Sequence, residues 1–145
     1  MVICFYQTIL KGQKLMNLEN VLENSTNSIL LINERENQDV VIAAPHHAPL
    51  GVSNLPCPIH KDADENVGKL VYYTSRLLNC SSIIACNYFI DSNKSSQTDY
   101  YKKIESWRPK FLVEIHGHGS KKARYDIEIS SGKIKHNSFS RKLSE

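Results

Sequence analysis

Two short apolar runs, each leading into a pair of histidines, constrain this chain more than any other feature. Residues 39–44 read DVVIAA and pass through Pro45 to His46 and His47; residues 111–115 read FLVEI and pass directly to His116, Gly117 and His118. A continuous apolar run, without alternation, is the pattern of a strand buried on both faces, as in sheets covered by helices on either side. Two such strands in 145 residues that are 41% hydrophobic support one domain with a sizeable core.

The rest of the pattern alternates between strand and helix. Residues 17–24 suit a short helix, 28–33 (SILLIN) a strand, and 34–38 a polar turn. The loop over 44–63, APHHAPLGVSNLPCPIHKDA, carries four of the five prolines and should be rigid. Val67, Leu70, Val71, Thr74, Leu77 and Leu78 recur at helical spacing and predict an amphipathic helix. Asp62 or Asp64 stands ready to cap it. Residues 82–85 with 88–90 predict a strand, 99–107 a helix stopped by Pro109, and 125–129 (YDIEI) a last strand. The expectation is an α/β domain with a mixed, mostly parallel sheet and helices on both faces, over residues 25–145. Residues 1–24 are expected to form a peripheral N-terminal extension. The basic, helix-like end of the chain has no stop signal, which reads as a domain incomplete on its C-terminal side.

Composition narrows the function classes. Eighteen Lys and Arg against 15 Asp and Glu leave +3, too little for a nucleic-acid footprint, and Lys121, Lys122 and Arg124 make only a short basic cluster. No apolar run approaches the roughly 20 residues that cross a bilayer, so no membrane partner is expected. Cys4, Cys57, Cys80 and Cys86 form no CxxC pair and suit free thiols in a reducing cytoplasm.

In open parallel sheets, sites gather beyond the carboxyl ends of the strands. There the sequence delivers His46 and His47, then Asp91, Asn93 and Lys94, then His116 and His118, with Asp62, Asp64 and Glu65 at the start of the long helix. Two histidines and one carboxylate with an open fourth position suit a catalytic metal, zinc above all. Gly117 and Gly119 allow close backbone approach. Asn93 and Lys94 suit the recognition of a substrate carboxylate, and Arg124 is a second candidate clamp. Glu114 shares a strand face with His116. His60 is left without a role.

The order APHHAP, DADENVG, FIDSNK, VEIHGHG resembles that of the N-formylglutamate amidohydrolase family, related to the zinc carboxypeptidases and to phage poly-gamma-glutamate hydrolases, from about residue 39 to residue 132. The resemblance implies a zinc-carboxypeptidase-like fold and one zinc ion. His46, Glu65 (with Asp64 as its rival) and His116 would hold it. It further implies hydrolysis of an amide bond in a small acidic substrate. FIDSNK matches a D-x-N-R segment that grips a substrate carboxylate, with Lys94 replacing the Arg, so a point charge replaces a bidentate fork. The general base in the zinc carboxypeptidases comes from a strand well after the last ligand. That segment is expected to be missing from a chain that ends 29 residues after His116, and Glu128 is the best remaining candidate. Glu114 would support a ligand from behind, and His47, Asp64, Asp91 and His118 would line the pocket. The rival expectations are a metal-dependent phosphoester hydrolase and a non-catalytic metal- or ligand-binding domain without its base.

Overall fold

The computed structural model describes residues 3–6, 17–36, 38–117 and 142. In chain order these form β1 (Ile3–Tyr6), α1 (Leu18–Asn24), β2 (Ile29–Asn33), β3 (Val40–Ala48), β4 (Asp64–Glu65), α2 (Val67–Leu77), β5 (Ser81–Cys86), α3 (Asp99–Trp107) and β6 (Phe111–Glu114). Six strands make one mixed sheet in the order β1-β2-β5-β3-β4, with β6 also paired to β3. Among the described strands the β2–β5 pair is antiparallel, and the β1–β2, β5–β3, β3–β4 and β3–β6 pairs are parallel.

The apolar runs are continuous because helices cover both sides of the central strands. Ile29 and Leu31, Ile42 and Ala44, and Ile84 and Cys86 pack with Leu22 of α1 and with Val67 and Val71 of α2. The alternate residues, Leu30 and Ile32, Val41 and Ala43, and Ile83 and Ala85, pack with Tyr100 and Trp107 of α3. Each fully buried aliphatic side chain in these layers contributes about 1.5–3 kcal/mol of burial free energy.

One irregularity changes what lies beyond the core. Ala44 is level with Ile84 and His47 with Cys86, so β3 advances three residues while β5 advances two. The extra residue is a β-bulge between Ala44 and His47, beside Pro45, which has no N–H to give to a ladder. The strand expected to stop at Pro45 instead runs on to Ala48. The Pro45 carbonyl accepts from the Ser92 hydroxyl at 2.9 Å. Past the bulge the alternation is inverted. His47, not His46, continues the face of Ile42 and Ala44 that looks at α1 and α2.

The free edge of β3 is divided between two strands. β6 pairs with Val40 to Ala43, and β4 takes over at His47 and Ala48. The Ile115 N–H donates to Ala43 O, so the chain leaves β3 immediately after β6 and His116 emerges in the gap before β4.

Several expectations need correction. α1 is no peripheral segment, since Leu22 is completely buried in the core. Neither Asp62 nor Asp64 caps α2; its N-cap is Asn66, left-handed at φ 64°, and makes no side-chain cap bond. The buried face of α2 is Val67, Gly68, Val71 and Ser75, while Leu70, Leu77 and Leu78 are exposed. Helix spacing fits both stripes; Ser75 is drawn in by its hydroxyl bond to Ser82 at 3.0 Å. Residues 88–90 are not strand, because Asn87 turns left-handed at φ 45° directly after β5. β6 is not buried on both faces: Phe111 is 49% exposed, as α2 and α3 lie over β3 and β5 rather than over this strand. The strand expected at 125–129 lies outside the described residues.

Candidate metal centre

The bulge, the divided edge and the rigid loop bring imidazoles and carboxylates together at the carboxyl end of β3. His46 is the centre of the group and is buried. Its Nε2–H donates to Asp91 Oδ1 at 3.0 Å. Its Nδ1 is buried without a hydrogen-bond partner and faces Asp64 Oδ2 at 3.6 Å, an ion-pair distance. The same Asp64 oxygen is 3.1 Å from His116 Nδ1.

Each member is held from a different element. Asp64 is in the short β4, level with His47 of β3. His116 follows β6, and Gly117 lets that segment lie against β4, because a Cβ there would stand 3.3 Å from Asp64 Cα. Asp91 sits beyond β5, where Ser92 is tied to Pro45 O and accepts from the Thr98 hydroxyl at 2.7 Å. Thr98 also caps α3, so that helix and Asp91 share one anchor. His46, Asp64 and His116 offer one ligand atom each within 4.8 Å of one another and could hold a metal ion. His46 and Asp64 are the buried members, and the His116 side chain is 42% exposed, which leaves the group open on that side.

The electrostatics of the group favour a cation. Burial works against protonating His46, but Asp64 and Asp91 outweigh it and hold its pKa above the ordinary imidazole value. Burial likewise disfavours the Asp64 carboxylate, yet His116 and His46 outweigh it and keep the pKa below the usual range. An Nδ1 lone pair against a carboxylate is repulsive unless positive charge lies between them, and either a proton or a metal ion supplies it. The orphaned Nδ1 and the two-histidine, one-carboxylate donor set therefore fit a divalent cation.

A second group overlaps the first: His46, His60 and Asp91 could also hold a metal ion. The loop before β4 that carries His60 is pinned by Leu55 and Cys57, which pack on Ala48, and by a bond from Leu55 N–H to Lys61 O at 2.7 Å. The His60 ring stacks on His46 with centroids 3.9 Å apart and planes 20° apart.

Other expected site residues lie elsewhere. Glu65 is exposed and accepts from the Gly51 N–H at 2.7 Å, so Asp64 is the acidic member of the cluster. His47 is not a pocket residue. It accepts from Gly68 N–H at Nδ1 and donates from Nε2 to Leu22 O, both at 3.1 Å, and burial pushes its pKa down to about 4. Glu114 accepts from the Tyr100 hydroxyl and from Asn93 Nδ2, and Asp91 is the carboxylate that holds His46 from behind. Asn93 is half-buried and turned to Glu114, while Lys94 is exposed. His118, Arg124 and Glu128 lie outside the described residues. His60 was the member that sequence reasoning left without a role, and only the prolines stiffening its loop hinted that it is held in place.

No protein-family model, no curated protein and no solved structure matches the chain.

Proposed function

We propose that this chain is a metal-dependent hydrolase that binds one divalent ion, zinc by preference, through His46 Nδ1, Asp64 and His116, and cleaves an amide bond of a small acidic substrate. The observation that carries the reading is the buried, unpartnered Nδ1 of His46 facing the Asp64 carboxylate, with the half-exposed His116 beside them. An ion held there supplies Lewis acidity, polarising a substrate carbonyl and acidifying water.

The chain's own residues prepare that site. Asp91 accepts the Nε2–H of His46, which fixes the tautomer, turns the Nδ1 lone pair to the centre and raises its basicity as a ligand. Asp64 supplies the negative charge, and its pKa is already held low. The half-exposed His116 leaves a side from which substrate can approach. Lys94 and Arg124 are proposed to draw in the substrate carboxylate, and Glu128 to act as the general base. The resemblance to the N-formylglutamate amidohydrolases and zinc carboxypeptidases supports the substrate class, with Asp64 taking the acidic ligand position instead of Glu65.

Protein stripped with a chelator and given one equivalent of Zn2+ is expected to hydrolyse N-acyl amino acids with an acidic side chain. His116→Ala is expected to lose the ion of this centre and turnover together. Undiminished zinc uptake by folded His116→Ala would overturn the ligand assignment. Normal uptake with no turnover across N-acyl and gamma-glutamyl amino acids would instead favour a binding domain.

A further inference from the structure

His46 has two ring nitrogens, and each faces a different carboxylate. Nδ1 faces Asp64 and Nε2 meets Asp91. Asp91 uses Oδ1 for His46 and turns Oδ2 toward His60 Nδ1, at 3.8 Å. That distance is too long for a hydrogen bond, so the carboxylate stands between two imidazoles and pairs closely with only one. The two rings lie stacked and nearly parallel, so their nitrogens border the same carboxylate from neighbouring planes. Asp91 is buried, and the His60 side chain, 32% exposed, opens the group to solvent.

We propose that His60, Asp91 and Nε2 of His46 form a second divalent-cation site, which shares the His46 ring with the first. The inference rests on the metal reading of His46, Asp64 and His116 only for the sharing; the second site's three donors stand by themselves. Two histidine nitrogens and a carboxylate oxygen again suit Zn2+ or a similar transition metal.

Sharing one ring has consequences. An ion at Nε2 displaces the proton that Asp91 accepts, and that proton leaves to solvent. When Nδ1 is also occupied, the ring between two cations carries no proton and the two charges repel through it. The second ion therefore binds more weakly than the first, by about tenfold for a coupling of ordinary size. The ring also keeps the ions farther apart than the ~3.5–4 Å of a two-metal clamp that grips one phosphoryl group. The second ion thus acts on the first centre by removing the Asp91 hydrogen bond that orients His46, and an excess of metal is expected to lower turnover.

The test is metal stoichiometry, by calorimetric titration of chelator-treated full chain with Zn2+ alone and with Co2+ alone. Wild type is expected to take two ions in two steps. His60→Ala changes a half-exposed loop side chain and is expected to take one ion, with the first step unchanged. His116→Ala is expected to keep one ion, lost again when His60→Ala is added, with circular dichroism reporting that each variant is folded. A wild type that takes two ions, both kept by His60→Ala, overturns the second site. So does a wild type that takes one ion, lost in His116→Ala and kept in His60→Ala, although that result leaves the first centre standing. A single ion lost in His60→Ala and kept in His116→Ala does the reverse, upholding the second site and overturning the first.

Discussion

His46 and His47 are neighbours in sequence, both are buried, and their environments are opposite. His47 looks into the layer of α1 and α2, where one backbone N–H and one carbonyl satisfy both of its nitrogens, and Asp64 acts on it only weakly against burial. His46 looks to the other side, between Asp64 and Asp91, with one nitrogen unsatisfied. Burial therefore dominates at His47 and drives its pKa down to about 4, while at His46 the carboxylates outweigh burial and raise it. Burial alone makes a histidine a neutral packing group. Burial together with unmatched negative charge makes it a seat for a cation.

The sharpest way to break this comparison is to delete each ring in turn. His46→Ala removes a donor from both candidate groups and is expected to abolish tight zinc uptake while the chain stays folded, as read by calorimetry and circular dichroism. His47→Ala is expected to do the opposite: it strands Leu22 O and Gly68 N–H and leaves a cavity. We expect a loss of about 3 kcal/mol in urea unfolding, with zinc stoichiometry retained in the folded fraction. If the two variants lost metal equally, the distinction between the rings would fail.

Asp91→Asn tests the carboxylate behind His46. Outer partners of this kind are worth about 10–100-fold in metal affinity, so zinc titration should show a weakening of that order at the centre of His46, Asp64 and His116, together with loss of the second ion that Asp91 would itself ligate.

Gly68→Ala probes the other ring. A Cβ there would lie 2.6 Å from His47 Cγ and 2.9 Å from Ile84 Cγ2, so α2 must move off β3. The expected cost is about 1–3 kcal/mol in the denaturation midpoint, without a change in zinc stoichiometry.

The two rings should also give metal-free stability opposite dependences on pH. His47 has a folded pKa of about 4 against an ordinary 6.5, so the unfolded chain takes up a proton that the fold excludes. Its contribution is complete above about pH 6.5 and is lost as pH falls toward 4, to the extent of roughly 3 kcal/mol. The pKa of His46 is raised, so its contribution is present below pH 6.5 and is lost as pH rises through the folded value. Urea unfolding across this range should lose its acid-side slope in a folded His47→Gln variant and keep it in His46→Gln. Smallest of all, Glu65→Gln is expected to leave zinc uptake unchanged, because its carboxylate serves the Gly51 N–H.

Some of these features were legible in the residues. The run at 39–44 announced a doubly covered strand, and Ile42 and Val41 do face different helices. The helix expected at 99–107 coincides with α3, because Thr98 caps it and Arg108 turns left-handed before Pro109. The placement of His116 just past a strand end was readable because an apolar run that stops at polar residues marks where a strand leaves the core. His46, by contrast, lies within β3, which runs on through Pro45 to Ala48, and Asp91 lies in the segment that follows β5.

The choice within each pair of neighbours was not readable. His46 against His47 turns on the bulge beside Pro45, which inverts the alternation of a strand whose local pattern looks unbroken. Asp64 against Glu65 turns on a two-residue strand that pairs only because β6 leaves the edge of β3 early. The inner stripe of α2 turns on Ser75 reaching Ser82. Sequence periodicity by itself determined which runs become covered strands and helices, since that depends on local burial. Which of two adjacent side chains enters the site was decided only by the tertiary structure, because one extra residue between strands reverses every face beyond it.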